Sequence, residues 1–231
     1  VEREWAGPAG ALSRADTIGL EREGAVPEGM IRASGMSGGF GYGLFVPGLE
    51  HVDPVEVGPF LIGRHEVTNR EFAEFVAAGG YQDRACWRHA FVEDGDTLSV
   101  DAAMSRFVDR TGRPGPAGWE AGGHPRGASE LPVGGVSWYE ADAYACWAGM
   151  SLPTVYHWYA VANPFSSPHV VPLSNFGDGP AAVGSFEGVS GDGVYDLAGN
   201  VREWAINATG ESRFILGGAW SDQEYAFNDA V

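Results

Sequence analysis

The sequence contains no lysine and only two cysteines, Cys86 and Cys146. Without lysine, Schiff-base chemistry and lysine general-base chemistry are excluded. The two cysteines form no CxxC pair, which excludes a zinc ribbon, and they are too few for a disulfide framework. We expect two buried free thiols, with one disulfide in an oxidising compartment as the alternative.

Long apolar runs and positive charge are also scarce. No run of 18 or more apolar residues occurs, so we expect no membrane span. No charged-then-apolar signal pattern opens the chain. The basic residues number 14 against 31 acidic ones, which gives a net charge of −17. A nucleic-acid partner is therefore not expected, because it would be repelled, whereas an acidic surface suits divalent cations.

The residues that are abundant indicate a compact fold with much irregular structure. Hydrophobic residues make up 44% of the chain, enough for a core, and Gly 35 and Pro 14 are high for a helical protein. The apolar pattern predicts a strand from Val55 to Ile62. Residues 81–130, called the excursion below, are predicted to form a long irregular segment. It contains a short predicted helix in "LSVDAAMSRFVDR".

Three further segments carry the start signals of helices. Thr68 is followed three residues later by Glu71, and Ser137 is followed in the same way by Glu140. Each pair makes a capping box, in which the two side chains satisfy free backbone N–H groups of the first turn. A third helix is predicted after Thr154, before a C-terminal part made of turns and short strands.

Three motifs together resemble one family, the formylglycine-generating enzymes or sulfatase-modifying factors. The motifs are "FLIGRHEVTNREFAEFV", "PVGGVSWYEADAYACWAGMSLPT", and "GVYDLAGNVREWA" followed by "FILGGAWS". Their order and spacing agree with the family over residues 28–222. The stretch "AGGYQDRACWRHAFVEDG" and the segments after it look most like the subgroup that is fused to bacterial serine/threonine kinases.

The resemblance implies a fold and a domain plan. It implies an α+β fold, a large variant of the C-type-lectin-like fold with little regular secondary structure, in which two or three short helices pack on small antiparallel sheets. We expect residues 1–27 to be an N-terminal extension. Residues 28–231 would form the family domain, without the closing strand that family members usually have.

The resemblance also implies calcium sites. A structural calcium of the family falls on four positions of this chain, which supply carboxylates and backbone carbonyls: Asp196, Gly199, Val201 and Glu203. A second family site falls near Asn175 and Phe176, with Asp178 as a further candidate, but the spacing of its later ligands differs. Calcium prefers such hard oxygen ligands. The alternative is that Asp196 and Glu203 only cap turns.

The family's oxidase chemistry needs two cysteines shortly after the turn that here runs from Gly217 to Trp220. Paired thiolates suit Cu(I), which handles oxygen. The two positions fall on Asp222 and Phe227, so we do not expect copper. A branch of the family holds iron with three histidines, but the six histidines here are scattered without metal-ligand spacing.

The sequence therefore favours a noncatalytic ligand- or protein-binding domain, such as the sensor or accessory part of a bacterial signalling protein. Trp220, Asp222 and Tyr225 are the candidate contacts for a peptide, protein or glycan, with core packing as the alternative for Trp220. A fused kinase domain and a periplasmic or extracellular location fit this reading. The alternatives are an oxidoreductase acting on protein cysteine and a variable ligand-display protein.

Overall fold

A computed structural model describes residues 26–36 and 55–228. The strands are β1 (Met30–Ala33), β2 (Phe60–Gly63), β3 (Val92–Glu93), β4 (Asp96–Thr97), β5 (Glu203–Thr209) and β6 (Ser212–Leu216). The α-helices are α1 (Asn69–Ala77), α2 (Val100–Met104), α3 (Trp138–Trp147), α4 (Val155–Ala162) and α5 (Ser167–Val170). Within the described ranges, no helix is long and apolar enough to cross a membrane.

The helices begin where the capping signals predict. At the start of α1, the Thr68 hydroxyl accepts from the Glu71 N–H and the Glu71 carboxylate accepts from the Thr68 N–H at 2.8 Å. Ser137 and Glu140 form the same reciprocal pair at the start of α3, and Thr154 caps α4. Local chemistry therefore fixes the starts of the three longest helices.

The strands pair as short antiparallel ribbons. Met30 of β1 lies opposite Gly63 of β2, and Glu203 of β5 lies opposite Leu216 of β6, with an irregular register further along. The predicted strand Val55–Ile62 is wrong in extent, because regular pairing is confined to β2. The α+β class with small sheets and short helices is confirmed, whereas the lectin-like kinship and the division at residue 27 stay predictions.

Two separate cores hold these elements together. The first lies between β1, α4, β5 and β6 and includes Trp158, Leu197, Phe214 and Phe227. The second is largely aromatic and lies between α1, α3 and the excursion; its buried members are Phe72, Phe75, Tyr81, Phe91, Ala103, Phe107, Trp119, Ala143 and Tyr144. Aromatic rings bury large areas, so the second core allows the long irregular excursion to fold back on α3.

The expectation of two free thiols is wrong, because Cys86 and Cys146 form a disulfide. The excursion returns to α3 and brings the two Cα atoms to 5.5 Å, across 60 residues of sequence. Arg88, two residues after Cys86, donates to the buried carboxylate of Asp142 on the same helix at 3.1 Å. These contacts between the excursion and α3 depend on the tertiary structure, so the spacing of residues along the chain does not predict them.

Candidate functional site

The turn that leads into β5 has a backbone that few residues can adopt. Asp196 and Asn200 have φ values of 59° and 54°, and Gly199 has φ 75°. Asp and Asn tolerate this left-handed region better than other side-chain-bearing residues. A Cβ on residue 199 would stand 2.1 Å from the carbonyl oxygen of Asn175, so glycine is required there. The turn places Asp196 and Glu203 near each other.

Three carboxylates lie near this turn and influence one another electrostatically, namely Glu66, Asp196 and Glu203. Glu66 is 8% exposed and Asp196 is 4% exposed, and Glu203 is partly buried. Asp196 accepts from the Gly184 N–H at 2.6 Å, and Glu203 accepts from the Trp158 indole N–H. In the part of the chain that the structure describes, none of the three forms an ion pair with a basic side chain.

The pKa values of these three carboxyl groups are raised because the groups are buried without an ion-pair partner among the described residues. Burial raises the pKa of Glu66 well above its usual range, and the charge of Glu203 raises it further. Burial raises the pKa of Glu203 to about 7, where the Asp196 charge adds to the effect of burial and the Trp158 hydrogen bond opposes it. Burial also raises the pKa of Asp196, against the Gly184 hydrogen bond and the charge of His65. The cluster thus favours either protons or a bound cation.

The available donors fit calcium when backbone oxygens are included. Among the described residues, no three His, Cys, Asp or Glu side chains converge on one metal position. The carbonyl oxygens of Gly199 and Val201, however, accept no hydrogen bond from any described residue. Together with the carboxylates of Asp196 and Glu203 they make a set of hard oxygen donors, which calcium takes from loops of this kind.

Asn200 ties three segments together behind this turn. It is 1% exposed, and its side-chain N–H group donates to Glu66 at 2.6 Å. Its side-chain oxygen accepts from the Asn175 side-chain amide at 3.0 Å and from the Ala181 N–H at 2.9 Å. The side-chain NH2 group of Asn175 donates to Gly179 and Asn200, and Phe176 packs against the first core. The second calcium site stays a prediction.

The candidate ligand-contacting residues lie directly after β6. The Trp220 N–H donates to the Asn200 carbonyl at 2.9 Å, and the Trp220 side chain is partly buried. Asp222 accepts from the Arg202 guanidinium at 2.8 Å and from the N–H of residue 219 at 2.7 Å. The Arg202 contact, opposed by burial, lowers the pKa of Asp222. Tyr225 is 68% exposed and available for contact.

The family resemblance places its two cysteines at positions 222 and 227, where this chain has side chains that make other contacts. Asp222 closes its own turn and pairs with Arg202. Phe227 is 1% exposed, and its ring lies 5.8 Å from the Trp158 ring in the first core. Neither position presents a soft ligand, and the local packing leaves these side chains engaged within the protein.

Sequence reasoning missed Glu66 and Asn200. The hydrogen bond between them spans 134 residues, so no local spacing connects them. Glu66 lies two residues before the capping box of α1, and Asn200 lies inside the motif "GNVREW". No feature of the sequence around either residue indicates its buried partner.

Comparison with known proteins shows the family of this chain. The sulfatase-modifying factor enzyme 1-like domain matches residues 28–230. A formylglycine-generating enzyme of Thermomonospora curvata is 35% identical, in a match that covers 68% of this chain and 62% of that relative. The inactive C-alpha-formylglycine-generating enzyme 2 of Bos taurus is 32% identical, with 74% and 68% covered. The chain thus spans about two thirds of these relatives.

Two further proteins share the domain or the fold. The serine/threonine-protein kinase Pkn1 of Chlamydia trachomatis is 30% identical over 63% of this chain, which corresponds to 22% of the kinase. The crystal structure of CarF superposes with a TM-score of 0.52 over 87% of this chain and 90% of that chain, at 18% identity. The CarF match establishes a shared fold alone.

Proposed function

The chain belongs to the family of sulfatase-modifying factor enzyme 1-like domains, and we propose that it is a noncatalytic binding domain of that family. One observation carries the proposal: both cysteines of the 231 residues, Cys86 and Cys146, are joined in a disulfide. Cu(I) chemistry of the family type needs two free thiolates as soft ligands. Carboxylate and aromatic side chains do not provide them.

The replacements at positions 222 and 227 support the same proposal. Asp222 is held by Arg202 at 2.8 Å, and Phe227 fills space beside Trp158. Both side chains stabilise the region after β6 as a scaffold. A bovine relative that is named inactive carries the same domain, so loss of catalysis on this fold has a precedent among the relatives.

We propose that the ligand surface lies around Trp220 and Tyr225. Tyr225 offers an exposed aromatic ring with a hydroxyl, and such rings suit peptide, protein or glycan contacts because they combine apolar area with a polar tip. Asp222 takes part as the anchor that fixes the turn through Arg202. Its carboxylate shapes the surface by this contact.

We propose a structural calcium held by the carboxylates of Asp196 and Glu203 and by the carbonyl oxygens of Gly199 and Val201. The bound ion supplies positive charge to a cluster that lacks it. Glu66 supports the site from behind, because its carboxylate accepts from the Val201 N–H at 2.9 Å and so fixes the Asn200–Val201 peptide group within the turn. Asn175 and Phe176 remain weaker candidates for a second ion.

We propose an extracytoplasmic setting in a larger signalling protein. A disulfide between Cys86 and Cys146 persists in oxidising compartments such as the periplasm or the cell exterior and is rare in the cytosol. The match to part of a serine/threonine kinase supports fusion to a kinase domain. In such a protein the domain would serve as a sensor or an accessory binding module.

Thermal unfolding in calcium, in chelator and in Cu(I) tests the proposal. We expect calcium to raise the melting temperature by about 5 to 10 °C at a hundredfold excess over its dissociation constant, since it binds only the folded state. Cu(I) is expected to leave the melting temperature unchanged. The substitution Glu203→Gln should remove the calcium effect, while Glu187→Gln at an exposed site should keep it.

Each component of the proposal fails on a different result of this experiment. Equal melting temperatures in calcium and chelator would contradict the calcium site and leave the noncatalytic proposal standing. A melting temperature that rises with Cu(I) concentration would contradict the noncatalytic proposal, because it would reveal a soft ligand set in the folded chain.

A further inference from the structure

A cavity of about 920 Å³ lies between the two cores. Its size falls within the range of small-molecule sites, which are concave and mostly apolar. Trp158 and Leu197 of the first core line one side, and Phe72 and Tyr144 of the second core line another. The cavity therefore occupies the seam where the two cores meet.

Two acidic residues, Glu66 and Glu203, line this cavity. Glu66 is the more deeply buried, and it has no ion-pair partner among the residues that the structure describes. Arg202 also lines the cavity, but its guanidinium is engaged by Asp222. The Glu66 carboxylate is fixed by hydrogen bonds from Asn200 and Val201. An acidic side chain is thus fixed in a largely apolar chamber, where a bound cation would favour its charged form.

The cavity opens to solvent at an apolar rim. Leu61 of β2 and Met150 after α3 both line the cavity and both have exposed side chains. Phe60 and His157 meet edge to face, with ring centroids 4.6 Å apart, on the same wall. A ligand that enters here meets apolar and aromatic groups first and a carboxylate deeper inside.

We propose that this cavity binds a small organic cation, an ammonium group carried on an apolar body, with the ammonium directed to Glu66. The apolar walls bury the body, and a charged donor to a carboxylate in a chamber of low polarity is a strong contact. The net charge of −17 draws cations towards the protein. The inference rests on the proposed calcium site in one respect: calcium would occupy Glu203 and leave Glu66 for the ligand.

Isothermal titration calorimetry of the native chain, saturated with calcium, tests this proposal. The three probes are hexylammonium, hexanol and hexanoate, which share a six-carbon chain and differ in the polar end group. We expect hexylammonium to bind about tenfold or more tightly than hexanol, because one charge-assisted contact separates them. Hexanoate should give no binding heat. Equal affinity for hexylammonium and hexanol, tighter binding of hexanoate, or no heat with hexylammonium would each overturn the proposal.

Two variants locate the binding. Glu66→Gln should bring the affinity for hexylammonium down to that for hexanol. Because Glu66 also supports the calcium turn, a second variant, Ala141→Leu, fills the cavity from α3 without touching that turn. It should abolish the binding of both probes in a protein that still unfolds cooperatively, while Ala148→Leu at the exposed end of α3 should bind both normally. Normal binding by folded Ala141→Leu protein would overturn the proposal.

Discussion

Replacing Asn200 with alanine is expected to lower the free energy of unfolding by about 3 to 5 kcal/mol. The side chain donates to Glu66 and accepts from Asn175 and Ala181, and Asn200, Glu66 and Asn175 are all buried. Without it, these buried groups lose hydrogen bonds that water does not replace. Alanine also tolerates the backbone φ of 54° less well than asparagine, which adds about 1 kcal/mol.

Chemical denaturation of the calcium-free protein measures this effect without interference from the ion. Gln223→Ala, at an exposed position of the neighbouring turn, is the control and should change the free energy of unfolding by less than about 0.5 kcal/mol. A similarly small change for Asn200→Ala would mean that the hydrogen bonds around Asn200 do not hold the turn, and the account of the site would fail with them.

Removing the disulfide is expected to cost up to about 4 kcal/mol of unfolding free energy. The link between Cys86 and Cys146 closes a loop across 60 residues, and loop closure of that length removes much of the entropy of the unfolded chain. The double variant Cys86→Ser, Cys146→Ser tests this in denaturant. The excursion should loosen first, because the disulfide joins it to α3.

A reducing agent provides the matched control for this prediction. It should destabilise the native protein by the same amount as the double substitution and leave the double variant unaffected. Reaction of both thiols with an alkylating agent in the folded, unreduced protein would show that the disulfide is absent. The proposed oxidising compartment would then lose its support.

The sequence predicts those parts of the fold that depend on interactions between residues a few positions apart. The hydroxyls of Thr68 and Ser137 and the carboxylates three residues later satisfy backbone groups beside them, so the starts of α1 and α3 were readable from spacing alone. The family motifs similarly placed Asp196 and Glu203 together, because seven positions and a glycine turn separate them. Local geometry was sufficient for the capping boxes, whereas the family resemblance supplied the pair Asp196 and Glu203.

The remaining features depend on contacts between distant segments. Glu66 reaches Asn200 across 134 residues, and Cys86 reaches Cys146 across 60. The residue spacing does not distinguish Glu66 from the other acidic residues. It also does not distinguish a disulfide between Cys86 and Cys146 from two free thiols. The extent of β2 was also misjudged, because pairing with β1 rather than the apolar pattern decides where a ladder ends.

The measurement that tests the central claim most directly is a cysteine-oxidation assay. The native protein, loaded with calcium, is incubated with Cu(I), oxygen, a reductant that leaves disulfides intact and a cysteine-containing peptide of the sulfatase type. The peptide is then analysed by mass spectrometry and with an aldehyde-specific label. A noncatalytic domain, whose only cysteines are in a disulfide, should return the peptide without aldehyde above the level of the protein-free control. Formation of aldehyde that scales with protein concentration and disappears after heat inactivation would contradict the account.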